Sequence, residues 1–424
     1  MASIIIRNIG PIKEASFNLN KINVFIGPQS SGKSTIAKII SYCTWVEKDV
    51  ATSQSLKAYQ ENDNYFKERL ESYHKLKGYF RSDSFIEYIS DVISLSYSQG
   101  KLEISWKDRY AYKRSKISYI PSERNIIVLP EMEKIEFPNN SIRSFLFDWF
   151  DARKNYSKEK NLHVLSLDVD YYYNENNQEN HILGKDGHNV LLSNASSGLQ
   201  SVTPLVVMID YLNRWIYDKD ETLSFEINEK TMQADKILTD ELVFKPYYKD
   251  TYNEVNTEKK YYDNINEKIR QRDKEVLALV ANWDRKRKEL FSTHNSQFII
   301  EEPEQNLFPE TQRDLVYHLL EKCFNKEGNR LTITTHSPYV LYALNNCMLG
   351  NLVSDRMDDE DKNSIACTSA LISPNEVSIY QINGGRLENI QQSDGLIGSN
   401  YFDEKMKDIM DDFYTLLKYY DDAE

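Results

Sequence analysis

Gly27-Pro28-Gln29-Ser30-Ser31-Gly32-Lys33-Ser34-Thr35 (GPQSSGKST) satisfies the pattern G-x-x-x-x-G-K-[ST] at every fixed position. Before it, Ile22-Asn23-Val24-Phe25-Ile26 reads as a short buried strand. After it, Thr35-Ile36-Ala37-Lys38-Ile39-Ile40 has helical spacing and no Gly or Pro. Strand, glycine loop and helix in that order make a phosphate cradle, because loop N–H groups and the positive end of the new helix face the anion. On this reading Gly27, Ser30, Ser31, Gly32, Lys33, Ser34 and Thr35 bind a nucleoside triphosphate. Lys33 reaches the β and γ phosphates, and Ser34 offers its hydroxyl to Mg²⁺.

The rest of the composition suits a large soluble protein. A chain of 424 residues with 40% hydrophobic and 12% aromatic content has ample material for a core. No apolar run approaches the roughly 18 residues needed to cross a bilayer, and the N-terminus does not read as a signal peptide. Cys43, Cys323, Cys347 and Cys367 are scattered without C-x-x-C spacing, which fits reduced thiols in a cytoplasm. The net charge of −13 argues against a coat for nucleic acid, though not against a local basic patch.

Taken in order, residues 3–26 read as a β-meander that leads into the loop. Residues 45–100 read as a helical insertion, and 101–120 turn strand-like. Lys107, Arg109, Lys113, Arg114 and Lys116 cluster there with Tyr110 and Tyr112, either as the exposed face of a hairpin or as a nucleic-acid-facing patch. Tyr119-Ile120-Pro121-Ser122-Glu123-Arg124-Asn125 reads as a turn before a second strand, Ile126–Leu129. That turn could aim Glu123 or Arg124 into a site, or be a salt-bridged loop. A hairpin-rich region from Leu162 to Leu192 ends in Ser193-Asn194-Ala195-Ser196-Ser197-Gly198-Leu199-Gln200, which opens a helix and could grip an anion. The segment 216–292 is charged; from about residue 261 its apolar positions predict one long amphipathic helix ending in Arg285-Lys286-Arg287-Lys288. That basic run is a solvated face or a DNA contact. Asp355–Asp361 reads as a solvated or disordered loop.

Phe298-Ile299-Ile300-Glu301-Glu302-Pro303-Glu304 is a second anchor: a short buried strand ending in adjacent carboxylates, with a proline to stop it. Adjacent strand residues point oppositely, so the turn is expected to set Glu301 toward the metal and Glu302 toward the γ-phosphate and its attacking water. Leu331-Thr332-Ile333-Thr334-Thr335-His336-Ser337-Pro338 gives a third strand, with His336 at its carboxyl end, where ligands bind in open α/β sheets. Val377–Ile382 reads as a strand and Phe402–Tyr420 as an amphipathic helix that closes the core. The segments then fall as 1–44, 101–215 and 293–424 for the core, with insertions at 45–100 and 216–292.

GPQSSGKST, YIPSERN, NASSGLQS, IIEEPEQNLFP and TTHSPYVL, in this order, resemble the ABC-type ATPase heads of the SMC, RecF and OLD families, and above all the ATPases associated with phage defence. The resemblance implies an α/β fold with a mixed sheet, ATP and Mg²⁺ as ligands, Glu301 as the Walker B carboxylate, Glu302 as catalytic base and His336 as switch histidine. Ser196, Ser197, Gly198 and Gln200 would be the signature that meets ATP on a partner subunit, so a homodimer or higher oligomer is implied. This chain departs from the family pattern in having Glu301 where Asp is commoner and SSGLQ in place of LSGGQ, and no Q-loop glutamine is assigned. The long interval between Ser196 and Glu301 is unlike transporter subunits. No Toprim nuclease follows His336, so a toxin or nuclease effector would be a separate protein. The expected function is a cytoplasmic ATPase that acts as a sensor or regulatory scaffold of a defence system. The alternatives are a RecF-like DNA-repair head and an ATP-locked scaffold with little turnover.

Overall fold

In a computed structural model that describes residues 2–129, 132, 135–217, 225–252, 258–324 and 326–420, hydrophobic alternation sets the first elements. β1 (Ser3–Ile9) and β2 (Ile12–Asn18) alternate buried and outward residues and pair antiparallel. β3 (Ile22–Ile26) is buried at every position, as a strand covered on both faces must be. It runs through the glycine loop into α1 (Lys33–Ser53). α2 (Lys57–Gln60) and α3 (Tyr65–Tyr73) precede an antiparallel set, β4 (Phe80–Ile89), β5 (Ile93–Ser98) and β6 (Lys101–Trp106), which joins the sheet through β1. Next come β7 (Ser115–Ile120) and α4 (Ser141–Arg153). A separate antiparallel sheet follows, built from β8 (Leu162–His163), β9 (Val169–Asn174), β10 (Glu179–Gly184) and β11 (Asn189–Leu191). It leads into α5 (Ser197–Arg214). The insertion holds α6 (Phe225–Thr239), α7 (Lys245–Tyr248), α8 (Glu258–Arg270) and α9 (Lys274–Phe291). The last third alternates β12 (Asn295–Glu301), α10 (Pro309–Cys323), β13 (Arg330–Thr334) and α11 (Pro338–Val353). It ends with α12 (Asp359–Ser364), β14 (Val377–Asn383), β15 (Arg386–Asn389) and α13 (Tyr401–Tyr420).

The main sheet has the order β6-β5-β4-β1-β2-β15-β14-β3-β13-β12-β7. β14, β3, β13, β12 and β7 run parallel, so the expected α/β class with a mixed sheet is what the chain has. Ile22, Val24, Ile26, Phe298, Ile300, Leu331 and Ile333 face one core with Trp149, Leu205, Leu315 and Leu341 from α4, α5, α10 and α11. Phe25 faces the other, with Ile36, Ile39 and Cys43 of α1. Helices therefore cover both faces of the parallel strands.

Several expectations need correction. β3 does not pair with β2, since β15 and β14 lie between them, so only the β1–β2 part of the meander is a hairpin. The segment 45–100 is helical only as far as Tyr73, and from Phe80 it is strand. Ile93-Ser94-Leu95-Ser96-Tyr97-Ser98 alternates apolar residues with serine, a period of two that a helix cannot bury. β6 and β7 form no hairpin, because they sit at opposite edges of the sheet. Ser122–Val128 is a 3₁₀ helix, not a strand; β7 is already the edge, and the turn carries Arg124 and Ile127 inward. The long helix of the insertion is broken: Arg272 is left-handed (φ 57°), and Asp273 caps α9 by accepting from the Glu275 and Val276 N–H groups. Parts of that insertion, 218–224 and 253–257, lie outside the described residues. Asp358 caps α12, so Asp355–Asp361 is partly helical while staying at the surface.

α13 does not close the core. Met406, Ile409, Phe413 and Leu416 are 53 to 69% exposed, and only its first two residues are partly covered. Ile409→Asp is therefore expected to change the unfolding free energy of the chain by no more than about 0.5 kcal/mol. Ile299→Asp, in the buried face of β12, should cost at least about 3 kcal/mol. Urea titrations of both variants check the contrast, and a large loss in the first would mean that α13 packs on the fold.

Candidate functional site

The sheet brings three loops together. β3, β13 and β12 are neighbours whose carboxyl ends form one row, with Phe25 beside Thr334 and Thr334 beside Glu301. Two strand spacings separate the lysine loop from the Glu301–Glu302 turn, roughly 10 Å. Backbone bonds carry the row past the strands. The Glu302 N–H donates to the Thr334 carbonyl (2.8 Å), and the Thr335 N–H donates to the Phe25 carbonyl (3.1 Å).

The glycine loop has the backbone its sequence demands. Gly27 (φ 146°), Ser30 (φ 61°) and Gly32 (φ 109°) all have positive φ. A Cβ on Gly32 would stand 2.3 Å from Ile12 Cδ1. Gly32 is also the N-cap of α1 and supplies no side chain, so the first N–H groups of the helix remain for an anion. Lys33 is buried, and its Nζ donates to the Gly27 and Pro28 carbonyls at 2.9 Å each. Burial lowers its pKa to about 8, against the opposing pull of Glu302 and Glu304. Ser31 Oγ is buried without a hydrogen-bond partner. Ser34 is half-buried and Thr35 buried.

Across from the loop, Glu302 is itself left-handed (φ 45°). That turn is what separates the two acids: Glu301 stays in the buried row at 3% exposure, whereas the Glu302 side chain is 29% exposed. Glu301 Oε1 has no hydrogen-bond partner; nor has Thr334 Oγ1. The Tyr119 phenol lies near Glu301; burial first, and that carboxylate second, push its pKa far up. Glu302 Oε2 accepts from Gln305 Nε2 (2.9 Å), and Oε1 lies 3.6 Å from His336 Nε2. Burial, then the Lys33 charge, lower the His336 pKa, so its ring is neutral at neutral pH.

The Glu301 oxygen without a hydrogen-bond partner and the Ser34 hydroxyl are each the kind of hard oxygen donor that Mg²⁺ takes, one or two from protein along with phosphate oxygens and water. Among the described residues no cluster of three His, Cys, Asp or Glu side chains could hold a metal alone.

Two residues had no firm place in the sequence reading. Glu304 Oε1 accepts from the His336 N–H (2.6 Å), and burial raises its pKa, so it holds the histidine loop. The hint was a third carboxylate just beyond the proline. Arg124, left open between site and salt bridge, is fully buried and bonds to backbone of the Glu301–Pro303 turn. Glu123 is exposed, with Ser122 as its hydrogen-bond partner.

Ser196 caps α5 by accepting from the Leu199 N–H (3.4 Å), and Ser196 and Ser197 are exposed. Gly198 approaches the Asn306 carbonyl, 3.1 Å from where a Cβ would stand. Gln200 Nε2 donates to the Ser193 and Ala195 carbonyls and so closes its own loop. Among the described residues none of these four hydrogen-bonds to the lysine loop. The basic runs are largely consumed internally. Arg285 and Lys286 pair with Glu289, Arg287 with Asp235, and Lys288 with Asp284. Arg109 bonds to Gln54, and Lys116 pairs with Asp148.

No family model matches the chain, and no curated protein matches it. Among solved structures it is similar to an SMC head domain from Thermotoga maritima, with 9% identity over 92% of this chain and 97% of that one and a TM-score of 0.35. It is also similar to the Smc head domain from Pyrococcus furiosus bound to the C-terminal domain of ScpA, with 7% identity, 97% and 99% coverage and a TM-score of 0.36. A third is the recombination mediator protein RecF-ATPrS, with 11% identity, 92% and 97% coverage and a TM-score of 0.30. The architecture given above stands on its own strand order. Among the described residues no helix is long and apolar enough to cross a membrane.

Gly32→Ala would force a Cβ into the Ile12 side chain at a left-handed φ. The expected cost is about 1–3 kcal/mol in the unliganded protein, read as a fall in melting temperature. An unchanged melt would mean the loop is not held in this conformation.

Proposed function

We propose that this chain is a magnesium-dependent ATPase that works as a homodimer or higher oligomer. One observation supports this most: Lys33, Glu302 and His336 converge from three adjacent parallel strands, with the buried Lys33 ammonium facing the Glu302 and Glu304 carboxylates. In the proposed mechanism the loop N–H groups hold the β phosphate, and Lys33 exchanges its bonds to Gly27 and Pro28 for phosphate oxygens. Ser34 and Glu301 would hold Mg²⁺, which neutralises charge on the phosphates. Glu302 orients the attacking water and takes its proton as the water oxygen bonds to the γ-phosphorus and the bond from that phosphorus to the bridging oxygen breaks, so that ADP and phosphate leave. The neutral His336 ring donates an N–H toward the γ-phosphate. The outward Ser196 and Ser197 are available to a nucleotide on a second copy, which supports self-association. The reading as a cytoplasmic regulator of a defence system, with a separate effector, rests on the resemblance of the motif set. The RecF-like DNA-binding alternative is also compatible with this fold, although most of the basic runs pair with neighbouring acids.

Glu302→Gln should bind labelled ATP as the wild type does, with kcat lowered about 10²–10⁴-fold; Lys33→Ala should lose binding. Equal turnover in wild type and Glu302→Gln would remove Glu302 from its role. In the free protein Lys33 loses its proton as pH rises through about 8, whereas the bound triphosphate favours the ammonium. Binding must then take up a proton, so ATP affinity should fall as pH rises from 7 to 9.5. Titrations with a fluorescent ATP analogue check this, and a flat profile in Lys33-containing protein would contradict it.

A further inference from the structure

Arg124 is a buried cation whose hydrogen bonds tie two parts of the site together. Its Nε donates to the Ser201 carbonyl (3.1 Å), and Nη2 donates to the Ser201 hydroxyl (3.1 Å). Nη1 donates to the Glu301 carbonyl (3.0 Å), and Nη2 also reaches the carbonyls of Glu302 (2.9 Å) and Pro303 (3.2 Å). Burial lowers its pKa to about 10, against the opposing pull of Glu304, Glu302 and Glu301, so it remains a cation at neutral pH. One end of this planar fork holds the first turns of α5, whose N-terminus carries Ser196–Gly198. The other end holds the left-handed turn that aims Glu302. The Glu302 peptide is gripped on both sides, its N–H by Thr334 and its carbonyl by Arg124. Neither segment can shift alone without leaving part of a buried guanidinium unsatisfied, which is costly.

We propose that Arg124 is a positioning residue that joins the Glu302 turn and the start of α5 into one unit, so that contact of Ser196–Gly198 with a second copy sets the aim of Glu302. This rests on the ATPase reading above. Hydrolysis then depends on assembly at a step after nucleotide binding. Lysine cannot replace the fork, because a single ammonium on a thinner stem cannot span both groups of acceptors.

Arg124→Lys should bind labelled ATP within threefold of wild type and keep KM within threefold, while kcat falls at least tenfold. Wild-type activity per chain should rise with protein concentration, and that rise should be lost in Arg124→Lys. Ser201→Ala, which removes only the hydroxyl contact, should lower kcat two- to fivefold, and combining the two changes should be no worse than Arg124→Lys alone. Wild-type kcat in Arg124→Lys, or a loss confined to ATP affinity, would overturn the proposal. Should Arg124→Lys fail to fold, Ser201→Ala carries the test, and an unchanged kcat there overturns it. Hydrogen exchange reads the link without chemistry: amides in 301–305 and 197–203 should lose protection together in Ser201→Ala. Loss in one segment alone would break the link. A wild type that neither binds nor hydrolyses ATP would sink the ATPase reading instead, with the exchange result still deciding whether the two segments move as one.

Discussion

The parallel register of β3, β13 and β12 is the constraint from which the rest of the site follows. Each strand alternates its side chains between two helix-covered faces, so a slip of one residue would send Ile300 and Ile333 to the wrong core. The hydrophobic layers therefore fix the register. The register in turn fixes where the backbone bonds of Thr334 and Thr335 fall. Those bonds hold the Glu302 turn and the histidine loop opposite the lysine. Chemistry-bearing residues sit beyond the last rung of the ladder, where the chain is free to turn but still anchored.

Charge is arranged around that geometry. Two buried cations, Lys33 and Arg124, face three carboxylates, Glu301, Glu302 and Glu304. The lysine is held by carbonyls rather than by a carboxylate, and the arginine likewise. Each acid thus keeps an oxygen that no strong ion pair consumes. Fixed dipoles and charges of this sort, in place before a ligand arrives, are what stabilise charge developed during a reaction.

Much of this was legible in the residues. The loop pattern, the strand before it and the two strand ends carrying Glu301 and His336 declare themselves, because each is a short apolar run stopped by a glycine, proline or polar cluster. What stayed hidden was pairing. Nothing local in Ile22–Ile26 says that its neighbours are β13 and β14 rather than β2, since strand partners are chosen by the whole layer. The serine alternation of Ile93–Ser98 was readable but lay inside a polar stretch that favoured a helical reading. The role of Arg124 stayed open for a different reason: all but one of its partners are backbone carbonyls, which leave no trace in side-chain identity.

The same strand order shapes how the chain is made. β3 is synthesised about 300 residues ahead of both of its partners, β13 and β14. At ribosomal rates the interval is on the order of tens of seconds. Throughout it a mostly apolar strand has exposed edges and no ladder. Until those partner strands emerge, the unpaired edges beside the glycine loop are an aggregation hazard of the nascent chain.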